Sequence, residues 1–120
     1  MEAKMNKILI VDDDPVIRNY LDNLLKDNGY ETALAEDAKQ ALELVNSQTF
    51  DLITLDLEMP GEWGSRFFSR LDRDKKKKNI PVIVISGMSG NKYAIRKAVA
   101  SLSKPFDREE LLKIVKETLD

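Results

Sequence analysis

Lys7-Ile8-Leu9-Ile10-Val11-Asp12-Asp13-Asp14-Pro15 decides the fold: a short apolar run stops abruptly at three acids and a proline. Four consecutive apolar residues suit a strand buried on both faces, as parallel sheets require. The pattern recurs. Leu52-Ile53-Thr54-Leu55 runs into Asp56, Val82-Ile83-Val84-Ile85 into Ser86-Gly87, and the shorter Ala100-Ser101-Leu102-Ser103 into Lys104-Pro105. As neighbouring parallel strands these runs bring acids, a hydroxyl and an ammonium to one end of one sheet. Open parallel sheets bind ligands at that carboxyl end, and this set suits a hard cation and a phosphoryl group.

Helical patterns fill the intervals. From Pro15, the residues Val16, Ile17, Tyr20, Leu21, Leu24 and Leu25 recur at helical spacing. Asp14 is placed to cap that helix, Pro15 suits its first turn, and Gly29 suits its end. Tyr30 to Ala35 alternates weakly as a second strand, and Asp37 caps a second helix with Ala38, Ala41, Leu42 and Val45 inward. Asp51 to Leu55 forms strand three. After Met59-Pro60-Gly61, Phe67, Phe68 and Leu71 mark a third helix running into Lys75 to Lys78, a solvated helix end favoured by the macrodipole. Pro81 opens strand four, residues 91 to 99 hold a short helix, Ser101 to Ser103 a brief fifth strand, and Asp107 caps a final helix containing Leu111, Leu112, Ile114, Val115 and Leu119. Five βα units in this order predict an α/β sandwich with right-handed crossovers.

Composition narrows the chemistry. A chain of 120 residues fits one domain over 1–120, and no further domain is expected within it after the final helix that reaches Asp120, whether the chain stands alone or is a piece of something longer. With 19 Lys+Arg against 21 Asp+Glu, net charge is -2, so no general attraction to nucleic acid is expected. Cysteine and histidine are absent, which excludes disulfides, thiolate chemistry, imidazole metal ligands and phosphohistidine on this chain. A covalently held phosphoryl group is left to Asp, Ser or Thr. No apolar stretch approaches the roughly 20 residues that span a bilayer, and Met1-Glu2-Ala3-Lys4 lacks the apolar core of a signal peptide. A cytoplasmic protein is expected.

Asp12-Asp13 after strand one, Asp56 after strand three with Met59-Pro60 and Gly64 beyond it, Ser86-Gly87 after strand four, and Lys104-Pro105-Phe106 after strand five together resemble the receiver domain of two-component response regulators over essentially the whole chain. The resemblance implies a flavodoxin-like, three-layer (βα)5 sandwich with parallel strand order 2-1-3-4-5. It implies phosphorylation of Asp56, with Asp13 and Asp56 as direct Mg²⁺ ligands, Asp12 acting largely through water, and Glu58 contributing its backbone carbonyl. It also implies a cis bond between Lys104 and Pro105, and tuning of phosphate lifetime by Glu58 and Met88. The implied partners are a sensor histidine kinase or histidine phosphotransfer protein and a downstream protein target, with no nucleic acid or membrane, and a monomer or weak homodimer.

The residue chemistry is consistent with that likeness. Two carboxylates about 4 Å apart repel by roughly 4 kcal/mol at an effective dielectric near 20, so the cluster seeks protons or a divalent cation. Mg²⁺ prefers oxygen ligands and is usually held by one or two carboxylates with waters and a phosphate oxygen. Lys104 offers a point charge for a phosphate oxygen and Ser86 a hydroxyl, while Gly87 has no side chain to shield its N–H. Taken singly, Ser86 is equally a turn residue, Lys104 a surface lysine, Asp14 a helix cap and Trp63 a packing residue over the third helix.

The chain departs from the family in one region. Many receivers carry an aromatic residue three positions before the lysine, where this chain has Ser101, and the interval from Ser86 to Lys104 is several residues short. A helix of about eight residues spans roughly 12 Å, less than the roughly 17 Å of a five-residue strand. The shortened fourth helix therefore covers the sheet incompletely, and a modified switch is expected. Two other functions compete with the phosphoacceptor. Asp12-Asp13-Asp14-Pro15-Val16 also resembles the D-x-D-x-V motif of haloacid-dehalogenase-type phosphohydrolases, with Asp12 as nucleophile, although Asp56 then has no role. A receiver-like module that binds its partner unphosphorylated is the third.

Overall fold

The computed structural model of the protein describes residues 5–56, 63–75, 77–86 and 99–120. In chain order the elements are β1 (Lys7–Val11), α1 (Pro15–Asp27), β2 (Glu31–Ala35), α2 (Ala38–Ser47), β3 (Leu52–Leu55), α3 (Trp63–Arg73), β4 (Val82–Ser86), β5 (Ala100–Ser103) and α4 (Arg108–Leu119). The five strands pair in the order β2-β1-β3-β4-β5, every pair parallel. This is the expected flavodoxin-like order. The short helix expected over 91 to 99 lies, apart from residue 99, outside the described residues.

The apolar runs serve two layers because successive strand side chains point to opposite faces. Ile8, Ile10, Leu52, Ile83, Ile85 and Leu102 pack under Leu21 and Leu25 of α1 and Leu111 and Val115 of α4. Leu9, Val11, Ile53, Leu55, Val82 and Val84 pack against Ala38, Ala41 and Val45 of α2 and Phe67 and Leu71 of α3. An unbroken apolar strand is thus the signature of a sheet covered on both sides. Among the described residues, no helix is long and apolar enough to cross a membrane.

Asp14, Asp37 and Asp107 each cap a helix as expected, their carboxylates accepting from the N–H groups of Val16, Gln40 and Glu109. Asn28 ends α1 and Gly29 follows at φ +92, a left-handed conformation that glycine adopts without penalty.

Two expectations need correction. Val16 and Tyr20 do not belong to the inner stripe of α1, being 72% and 44% exposed. At about 100° per residue they stand roughly 140° and 100° away from Leu21, and Tyr20 instead meets the ring of Phe106 at a centroid distance of 6.1 Å. Helix α3 stops at Arg73, so Lys75, Lys77 and Lys78 belong to a following turn in which the Asp74 carbonyl accepts from the Lys77 and Lys78 N–H groups.

Thr54 is 1% exposed, and among the described residues its hydroxyl has no hydrogen-bond partner. Thr54→Val exchanges that hydroxyl for a methyl group of similar volume. It is expected to raise unfolding stability by about 1 kcal/mol, because a buried unpaired donor carries a desolvation penalty. Urea denaturation measures the difference, and a less stable variant would mean that the hydroxyl is satisfied in solution.

Candidate functional site

The ladder that pairs β1 with its neighbours also builds the site. Beyond Val11, the Asp12 N–H donates to the Ala35 carbonyl at 3.1 Å and the Asp56 N–H donates to the Val11 carbonyl at 3.0 Å. Both acids are thereby fixed at the carboxyl end of the central strands, 1% and 2% exposed. Asp13 sits beside them and is exposed. One carboxylate oxygen from each of Asp12, Asp13 and Asp56 lies within 4.8 Å of the others.

Lys104 arrives from the end of β5, where its bond to Pro105 is cis. Its ammonium donates to Asp12 Oδ2 at 3.0 Å and stands 3.6 Å from Asp56 Oδ2. The side chain is 18% exposed, so one positive charge faces two buried negative ones. Burying carboxylates is costly unless they are paired, and this contact offsets part of that cost. The other oxygen of Asp12, Oδ1, accepts from the Asp14 N–H at 2.9 Å. Every polar atom of Asp12 is in use, since its carbonyl accepts from Arg18 Nη1 at 2.8 Å.

Ser86 closes β4 opposite Ser103, one residue before Lys104, so the backbone brings these positions to the same rim. Gly87, Glu58 and Met88 lie outside the described residues. Ser101, standing where many receivers have an aromatic residue, is exposed on β5.

Arg18 is a site neighbour that the sequence reading missed. Two signals were available. It stands about 60° from Leu21 around α1, on the flank of the buried stripe. It is also a cation near a helix N-terminus, where the macrodipole disfavours positive charge.

A groove of about 820 Å³ between α2 and α3 is lined by Leu42 and Phe67 together with Asp37, Lys39, Glu43 and Arg70 among others. Its walls carry both signs of charge and none of the clustered acids, so it is no part of the site.

The donor set consists of hard carboxylate oxygens, two buried and one open to solvent. That is the chemistry Mg²⁺ selects, since it keeps several waters and takes few protein ligands.

The chain is similar to known proteins along nearly its full length. The family description "Response regulator receiver domain" matches residues 8–116. Protein Rrf1 of Nitratidesulfovibrio vulgaris is 34% identical over 113 residues, covering 94% of this chain and 82% of that protein. Chemotaxis protein CheY of Pseudomonas aeruginosa is 34% identical over 110 residues, covering 88% and 89%. Among solved structures, response regulator TrrA of Thermotoga maritima, in complex with Mg²⁺-BeF, superposes with a TM-score of 0.86 at 36% identity, covering 96% of this chain and all of that one. With a parallel 2-1-3-4-5 sheet carrying its acids and its lysine at one rim, the chain belongs to the receiver domains of two-component response regulators.

Proposed function

We propose that Asp56 is the phosphoacceptor of this receiver domain, modified from a sensor histidine kinase or a histidine phosphotransfer protein, and that the modification switches binding to a downstream protein. The observation that carries this is the convergence of Asp12, Asp13 and Asp56 with Lys104 at one strand-end rim. Asp12, Asp13 and Asp56, with the Glu58 carbonyl, would hold Mg²⁺. When bound, the ion supplies positive charge against the charge that develops on the transferring phosphoryl oxygens.

The chain's own residues do the rest. An Asp56 carboxylate oxygen attacks phosphorus, the bond from phosphorus to the donor nitrogen breaks, and that bond's electrons leave with the imidazole. The product is an acyl phosphate with roughly -1.5 to -2 charge and three strong acceptor oxygens. Lys104 already stands between Asp12 and Asp56 and transfers its ammonium to a phosphate oxygen. Ser86 and the Gly87 N–H complete the cradle, and the drawing inward of Ser86 and Lys104 shifts the loops after β3 and β4 toward a second conformation. Catalysis is confined to the domain's own phosphorylation and dephosphorylation, and the proposed setting is the cytoplasm.

Asp12 as the nucleophile of a phosphohydrolase is disfavoured because it leaves Asp56, buried at the same rim among the clustered acids, without a role. Incubation with Mg²⁺ and acetyl phosphate, followed by intact mass and peptide mapping, is the test. The expected result is one added phosphoryl group on the peptide that carries Asp56. Label on the Asp12 peptide would favour the phosphohydrolase, and no label would favour a module that works unphosphorylated.

A further inference from the structure

We propose that Arg18 is a positioning residue of the acidic site, clamping the turn between β1 and α1 in the shape that presents Asp12 and Asp13 to a divalent cation. The proposal rests on the reading of that site as a Mg²⁺-dependent phosphoacceptor. Asp12 is tied on four sides: its N–H to Ala35 of β2, its Oδ1 to the Asp14 N–H, its Oδ2 to Lys104, and its carbonyl to Arg18. Arg18 makes the tie to α1. The Asp12 carbonyl lies one residue past the end of β1, where Val11 makes the last ladder pairs with Ala35 and Leu55. Arg18 Nη1 fills that gap at 2.8 Å in a partly buried setting.

The placement works against the local electrostatics of the helix, because a cation at this end faces the positive pole of α1. A guanidinium is suited to the task because its planar donors hold a fixed direction, which a lysine ammonium does not.

Two effects of Arg18 on cation affinity have opposite signs, which makes its role measurable. As a nearby positive charge it weakens divalent binding, so its removal alone tightens binding by roughly threefold. As a clamp it organises Asp12 and Asp13, so its removal loosens binding; partners that orient metal ligands are commonly worth roughly tenfold or more in affinity. In the proposal the clamp dominates.

Calorimetric titration of Mg²⁺ into the wild-type protein, Arg18→Met and Arg18→Lys separates the cases, with thermal unfolding as the check on folding. Arg18→Met is expected to bind Mg²⁺ at least roughly threefold more weakly, the tenfold loss of the clamp set against the threefold gain from the removed charge, and Arg18→Lys, which keeps the charge, to bind more weakly than the wild type. The rate of labelling by acetyl phosphate in Arg18→Met should recover at saturating Mg²⁺, an effect on apparent affinity and not on the maximal rate. Equal or tighter Mg²⁺ binding by Arg18→Met overturns the clamp. Should that variant not fold, Arg18→Lys decides: weaker binding at unchanged charge supports the clamp, and unchanged affinity overturns it. Wild-type protein that takes up no Mg²⁺ would instead overturn the reading of the site itself, on which the clamp depends.

Discussion

Asp56→Asn is expected to lose covalent labelling by acetyl phosphate completely and, without Mg²⁺, to be more stable than the wild type. The first effect follows because an amide oxygen cannot serve as the attacking carboxylate. The second follows from the crowding of charge. Asp56 has an oxygen within 4.8 Å of Asp12 and of Asp13, and each such pair repels by about 3.5 kcal/mol at an effective dielectric near 20. The contact with Lys104 at 3.6 Å contributes about 4.6 kcal/mol of attraction at the same dielectric. The two repulsions exceed the Lys104 attraction by about 2 kcal/mol, and with solvent screening about 1 kcal/mol of added stability is expected near neutral pH. Mg²⁺ should reverse the ranking, since a ligand that binds only the folded state stabilises it by mass action and the variant has one carboxylate fewer. Urea denaturation in chelator and in Mg²⁺, together with intact mass, covers both effects. Retained label would remove Asp56 from its role. A variant no more stable in chelator would mean that the repulsion around Asp56 is already offset in the wild type.

Lys104→Met should shift stability the opposite way. The ammonium touches two buried carboxylates, and its removal leaves both without that charge. Breaking a buried ion pair from one side costs about 3–5 kcal/mol. Lys104 is 18% exposed, so water moderates the loss to about 2–3 kcal/mol. Mg²⁺ should restore most of it, because the cation offsets the same negative charge. A loss below about 0.5 kcal/mol in chelator would place the ammonium among ordinary surface pairs. Phosphorylated Lys104→Met, where it forms, should lack the conformational response, readable as missing amide shift changes at the ends of β4 and β5.

Most of the architecture was legible in short-range patterns. Ile8 to Val11, Leu52 to Leu55 and Val82 to Ile85 are apolar without alternation, and only a sheet covered on both faces rewards that. Asp14, Asp37 and Asp107 precede helical periodicity, and each makes the cap bond that its side chain is suited to make. The acids were legible for a related reason: a charge directly after a buried strand is costly unless it has a purpose. Harder to read was anything set by angle. Val16 and Tyr20 matched an apolar count along α1, yet their rotation around the helix leaves them outside the stripe defined by Leu21 and Leu25. The chain had no local reason to stop α3 at Arg73 in place of continuing through the lysines.

The sequence by itself determined the succession of strands and helices, the burial of the central strands on both faces, and the residue types available for chemistry, because these follow from periodicity, capping and the cost of burying charge. Only the tertiary structure decided which charges meet. Lys104 reaches Asp12 across 92 positions of chain, and Arg18, which helical spacing places on the flank of the buried stripe, finds the Asp12 carbonyl only once α1 is packed against β1. Those contacts depend on how parallel strands align in register and on how helices lie across them, and both are set by packing over the whole sheet.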